Sequence, residues 1–135
     1  MLEVEVLGVQ LLAGPLPRWK VERLCALALA TAGVKDGHLA VEFIGATRMA
    51  ELNGKHRGKD GPTDVLSFPV DGADPEAPGE GVPRELGDIV ICPEHTIDLN
   101  EAIVHGALHL VGMDHETDEG EMLAVQAEIM RWGTS

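Results

Sequence analysis

Tyrosine is absent from this chain, and phenylalanine and tryptophan occur only twice each. Its core must be built from Leu, Val, Ile, Ala and Met rather than from aromatic stacks. Bases are scarce too. Ten Lys and Arg stand against 23 Asp and Glu, a net charge of −13. A surface of that sign repels phosphate backbones and anionic membranes at long range, which argues against a nonspecific nucleic-acid binder. A specific nucleic-acid enzyme stays open if its bases are gathered in one place. The two cysteines, Cys25 and Cys92, lie far apart and form no CxxC pair. Neither a disulfide framework nor a thiolate zinc site is indicated. No apolar run approaches the roughly 20 residues of a membrane-spanning helix. The chain starts Met1-Leu2-Glu3-Val4-Glu5, acidic where a secretory signal is basic. The expectation is a cytoplasmic protein that engages no membrane.

What is present suffices for one domain. Of the 135 residues, 44% are apolar, a globular proportion in a chain too short for two ordinary domains. Residues 2–7 alternate as a half-buried strand. A helix fits 18–32, with Trp19, Leu24 and Leu27 apolar and a stop at Gly33. Residues 38–45 read as a second strand. Thr47 is placed to cap a short helix over 48–53 that Gly54 ends. Residues 54–62 read as a loop, 63–70 as a third strand with Pro69 favouring a sheet edge. Residues 71–86, rich in Pro, Gly and acids, read as an exposed, mobile loop. A short strand covers 88–92. Asp98 and Glu101 have capping-box spacing and start a helix to about Val111 that Gly112 ends. Asp118 and Glu121 repeat that spacing before a last helix through Arg131. The fold class is α/β (α+β): one domain over 1–135, a small mixed four-stranded sheet packed with about four to five helices.

Three of the six histidines fall in the segment His105-Gly106-Ala107-Leu108-His109-Leu110-Val111-Gly112-Met113-Asp114-His115. Residues four apart on a helix differ by about 40° around the axis and rise about 6 Å. His105 and His109 therefore project from one face, the geometry two imidazoles need to grip one metal. Gly112 permits a left-handed turn that brings His115 round as a third nitrogen. Three imidazoles with one position open is how a catalytic zinc is held. Asp114 is placed to orient one of these ligands. Zinc suits the set, although nickel and copper also accept imidazole. The spacing matches that of metzincin proteases, but Gly106 stands where those carry their general-base Glu.

Arg48, Lys55, Arg57 and Lys59 are four of the ten bases, with only Glu51 and Asp60 as acids among them. Residues 54–62 thus form a locally positive stretch suited to phosphate, which an arginine fork can hold bidentately. Ser67 lacks a nucleophile-elbow context, and Cys25 on its apolar helix reads as core. His38, His56 and His95 have no ligand spacing to one another; His56 reads as a loop residue.

The 105–115 segment resembles the signature of the YbeY family of bacterial ribosomal-RNA endoribonucleases. Two further stretches match: Leu52-Asn53 to Arg57 with Thr63-Asp64-Val65-Leu66-Ser67-Phe68-Pro69, and Leu86-Gly87-Asp88-Ile89-Val90-Ile91. The likeness runs from about residue 40 to 116. It implies an endoribonuclease directed at single-stranded RNA, acting in 3′-end maturation of small-subunit ribosomal RNA and in ribosome quality control. It implies one zinc ion on His105, His109 and His115, with Arg57 as the family's functional arginine. His56 stands where relatives carry an aromatic and Met113 where they carry Tyr, and the stretch between Ile91 and His105 is shorter than usual.

Three activities fit these residues. A metal-dependent endoribonuclease would use zinc, Arg57 to stabilise charge on the phosphate, and Lys55 and Lys59 to position the strand; DNA is not the expected substrate. A zinc hydrolase of peptides or amides would use the same ligands. A non-catalytic zinc protein would dock on the small subunit or a basic ribosomal protein, with His95 the first candidate to close the metal shell.

Overall fold

The computed structural model describes residues 1–79, 81–114 and 116–133. Four strands and four α-helices follow in the order β1 (Leu2–Leu7), α1 (Arg18–Ala30), β2 (Gly37–Phe43), α2 (Ala46–Arg57), β3 (Val65–Pro69), β4 (Glu85–Ile91), α3 (Leu99–Leu110) and α4 (Glu121–Gly133). Short 3-10 turns cover Val9–Leu11 and Pro93–His95. This is the α+β domain that the sequence predicts. No helix among the described residues is long and apolar enough to cross a membrane.

The sheet order is β1-β2-β4-β3. β1 and β4 run parallel to β2, and β3 pairs antiparallel with β4. Pro69 therefore lies on an edge strand, where its missing N–H costs least. β4 is interior and covered on both sides. Ile89 and Ile91 enter the main core, while Val90 enters a smaller one with Ile44, Met49, Leu66 and Cys92. Apolar residues on both faces explain why Ile89-Val90-Ile91 reads as an unbroken run rather than an alternation.

α1, α3 and α4 supply the main core, and α2 supplies the smaller one. On α1 the buried residues are Val21, Leu24, Cys25, Ala28 and Leu29, spaced three and four apart. Trp19, expected on that stripe, falls outside its phase and is 64% exposed. Cys25 is core as expected, and burial pushes its thiol up to about 12.

α2 departs most from expectation. It starts at Ala46, behind Gly45 and with no side-chain cap, so Thr47 caps nothing. It does not stop at Gly54 but runs through Lys55, His56 and Arg57 to Gly58, whose φ of +66° closes it. An interior glycine costs about 1 kcal/mol relative to alanine. Three basic residues in the last turn offset part of that by facing the negative end of the helix dipole. The first four residues of the stretch expected as a loop, 54–57, are thus helix. The loop after β3 is tied down, since Arg84 donates to the carbonyls of Gly72 and Asp74 at 2.8 and 3.0 Å.

His38, the second residue of β2, lies on the sheet face away from the main core. Its Nδ1 lies 2.8 Å from Glu85 Oε2, and its Nε2 lies 3.5 Å from Glu5 Oε2. The hydrogen bond to Glu85, helped by the charges of Glu85, Glu5 and Glu3 and opposed by desolvation, raises its pKa above the ordinary 6.5. The folded chain therefore binds this proton more tightly than the unfolded chain. That stabilisation is full below about pH 6.5 and is lost as pH rises through the raised value. The melting temperature of the parent should exceed that of His38→Gln at about pH 6, with the gap closing by about pH 9. A gap independent of pH would contradict the assignment.

Candidate metal centre and cleft

α3 opens on Asp98, whose carboxylate accepts the N–H of Glu101 at 3.2 Å, the capping spacing read from the sequence. From Ala102 to Leu110 every residue is buried except two. His105 and His109 are half-buried. The one open side of this helix is therefore where four-residue spacing puts both imidazoles. Their Nε2 atoms lie 3.0 Å apart, and the rings meet nearly edge to face at 78°.

Two nitrogens bound tetrahedrally to one zinc, each at about 2.0–2.1 Å, would sit about 3.3 Å apart. The pair is within a few tenths of an ångström of that spacing, so these residues fit a shared ion. No set of three His, Cys, Asp or Glu side chains among the described residues could hold a metal. His115, the expected third nitrogen, lies outside the described residues.

Past His109 the helix closes as expected. Gly112 has a φ of +94°. Its N–H reaches the His109 carbonyl at 3.0 Å, and the Met113 N–H reaches the Leu108 carbonyl at 3.1 Å. This pair of bonds is a Schellman closure, which a residue with a Cβ adopts only under strain. Asp114, expected to orient a ligand, uses its carboxylate on the N–H of Glu116 at 2.9 Å. It shapes the turn that follows.

A group that does reach a histidine of the pair is Gln126 of α4, which the sequence reading missed. It is 8% exposed, and its Oε1 lies 2.7 Å from His105 Nδ1. A signal was available: α4 buries Met122, Gln126, Ile129 and Gly133, and a glutamine in such a stripe needs a partner.

Gly106 faces the sheet. A Cβ there would come within 2.4 Å of Ile89 Cγ2 and 3.2 Å of Val65 Cγ2. Ser67 Oγ donates to the Gly106 carbonyl at 2.8 Å and fastens β3 to the helix at the same point. At the position that a metzincin gives to its general base, even a Cβ would collide with Ile89 unless the packing shifts.

A cleft of about 650 Å³ lies over the histidine pair, between the last turn of α2, β3, α3 and the turn after Gly112. His56, Arg57, Asp64, Asp114 and Glu116 contribute its polar walls. Among the described residues Arg57 is the one Lys or Arg lining it, with its side chain 35% exposed and 3.8 Å from Glu116 Oε1. A contact that open contributes little to stability. It leaves the guanidinium available to a stronger anion.

Of the predicted site residues, the structure brings His105, His109 and Arg57 to one cleft. Lys55, Lys59 and Arg48 are exposed outside it. His95 is also exposed and lines no part of it, so it does not close a metal shell there. His56 is helical rather than looped and rests on Phe68, ring centroids 4.4 Å apart. Asn53, buried in α2, donates to the Gly61 carbonyl at 2.9 Å and pins the loop after Arg57.

Residues 18–132 match the family model described as Endoribonuclease YbeY. The chain is 41% identical over 133 residues to Endoribonuclease YbeY of Rubrobacter xylanophilus, covering 94% of this chain and 93% of that protein. It is 42% identical over 124 residues to that of Salinispora tropica, covering 76% and 79%. The solution structure of TM1509 from Thermotoga maritima superimposes with a TM-score of 0.53 at 26% identity, over 97% of this chain and 90% of that one.

Gly106→Ala tests the close seat of α3. Overpacking of this kind typically costs 1–3 kcal/mol, so urea unfolding should show a loss of about that size. Parent-like stability would mean that the helix is not held against Ile89 and Val65.

Proposed function

The chain belongs to the YbeY family of endoribonucleases, and from that premise we propose a zinc-dependent endoribonuclease that cuts single-stranded RNA in the cleft over His105 and His109. Its substrate is small-subunit ribosomal RNA during 3′-end maturation and ribosome quality control, and its compartment is the cytoplasm. One observation carries this reading: two imidazole nitrogens 3.0 Å apart share a cleft with a single arginine.

His105, His109 and His115 would hold the ion. Bound zinc supplies Lewis acidity to a phosphoryl oxygen or lowers the pKa of an attacking water. Arg57 binds the same phosphate through its fork and stabilises the negative charge that develops there. Glu116, 3.8 Å from that guanidinium, yields it to the phosphate as the strand enters. Lys55 and Lys59, outside the cleft, act at most as distant cations on the flanking strand.

The peptidase alternative loses support at Gly106, where no base can be accommodated. Docking on the small subunit or a basic ribosomal protein is favoured by the net charge of −13 and is compatible with cleavage, since a partner would carry the acidic enzyme to its RNA.

A small-subunit ribosomal RNA fragment with an unprocessed 3′ tail should be cut by the parent. His109→Ala and Arg57→Ala, purified identically, should each be slower by about 10²–10³-fold, as for loss of one charge-stabilising group. Arg57→Ala should keep its zinc. Equal cutting by all three proteins would contradict the assignment.

Because the ligands fold around the ion, EDTA at neutral pH should lower the melting temperature. An unchanged melting curve would count against an occupied site.

A further inference from the structure

We propose that Gln126 is the positioning residue of the metal centre: its side-chain oxygen holds His105 in the Nδ1–H tautomer and turns the Nε2 lone pair toward His109. The proposal rests on the zinc reading above.

Asn53 and Gln126 are the two buried polar residues among those described. An amide taken out of water without a partner is strongly disfavoured. A glutamine between Met122 and Ile129 on the inner stripe of α4 therefore needs the partner it bonds. A carbonyl oxygen can only accept. At 2.7 Å from Gln126 Oε1, His105 Nδ1 must carry the proton.

In the neutral ring the other nitrogen then carries the lone pair. It lies 3.0 Å from His109 Nε2, so in the metal-free chain His109 is the donor of the pair. When an ion enters, His105 is already in the tautomer that ligates. A fixed tautomer also fixes the ring, because the acceptor sits on a helix packed against α1 and α3 rather than in a loop. Histidine ligands are commonly held this way through the nitrogen that faces away from the metal. A neutral amide in that role leaves the imidazole less basic than a carboxylate would.

Two variants and two readouts test this. Gln126→Met keeps a long flexible side chain and removes the acceptor; Gln126→Glu restores an acceptor. Zinc affinity, measured by competition with a chromophoric chelator, should fall about 10–100-fold in Gln126→Met. It should return to the parent value or better in Gln126→Glu. Long-range proton–nitrogen spectra of the His105 ring in the metal-free protein should show the Nδ1–H form in the parent and both tautomers in Gln126→Met.

A merely structural role in seating α4 would weaken both variants alike, and that result would overturn the proposal. Parent affinity and an unchanged His105 tautomer in Gln126→Met would overturn it as well. A parent that binds no zinc would sink the metal reading, while the tautomer spectra would still decide whether Gln126 sets His105.

Discussion

At Gly106 the backbone of α3 lies against Ile89 and Val65 with no room for one further carbon. Much else follows from that contact. With the helix so close, its flanks at Ala102, Ile103, Ala107, Leu108 and Leu110 are buried, and only the side carrying His105 and His109 meets solvent. Ser67 bonds the Gly106 carbonyl, which sets β3 beside the histidines and forms one wall of the cleft. The same closeness leaves no place for a general base next to His105. Packing and chemistry are decided at one residue.

The electrostatics are unusual for a protein that handles RNA. With a net charge of −13, this chain repels a polynucleotide at distances beyond a few ångströms. Within the cleft the acids Asp64, Asp114 and Glu116 face a single arginine. In the proposed reaction, capture of a strand therefore rests on short-range contacts at the floor of the cleft rather than on steering. The ion and Arg57 would be the two groups that favour a phosphate there, so specificity and catalysis would share the same atoms.

Much of this was legible before any coordinates. The period-two alternation of residues 2–7, the Asp98 cap and the Gly112 closure each state a local rule, and the chain obeys them. The histidine pair was legible because helix geometry alone juxtaposes positions four apart. The errors have a common cause, which is tertiary context. Gly54 reads as a stop, yet Gly58 and the basic residues of the last turn let α2 continue. Trp19 is apolar, but the phase of Val21, Leu24 and Ala28 leaves it in solvent. The α4 stripe marks Gln126 as an amide in need of a partner, but nothing in the sequence says that α4 passes behind His105. The four-base cluster likewise split once folded, with Arg57 in the cleft and Arg48, Lys55 and Lys59 outside it.

The central claim is that His105 and His109 share one ion with an open position. Metal analysis with X-ray absorption on the purified protein tests it most directly. One zinc per chain is expected, held by three imidazole nitrogens at about 2.0–2.1 Å with a fourth light-atom ligand that added phosphate or a short oligonucleotide displaces. A metal-free protein that takes up no zinc, or a zinc with four protein ligands that exchanges nothing, would contradict it.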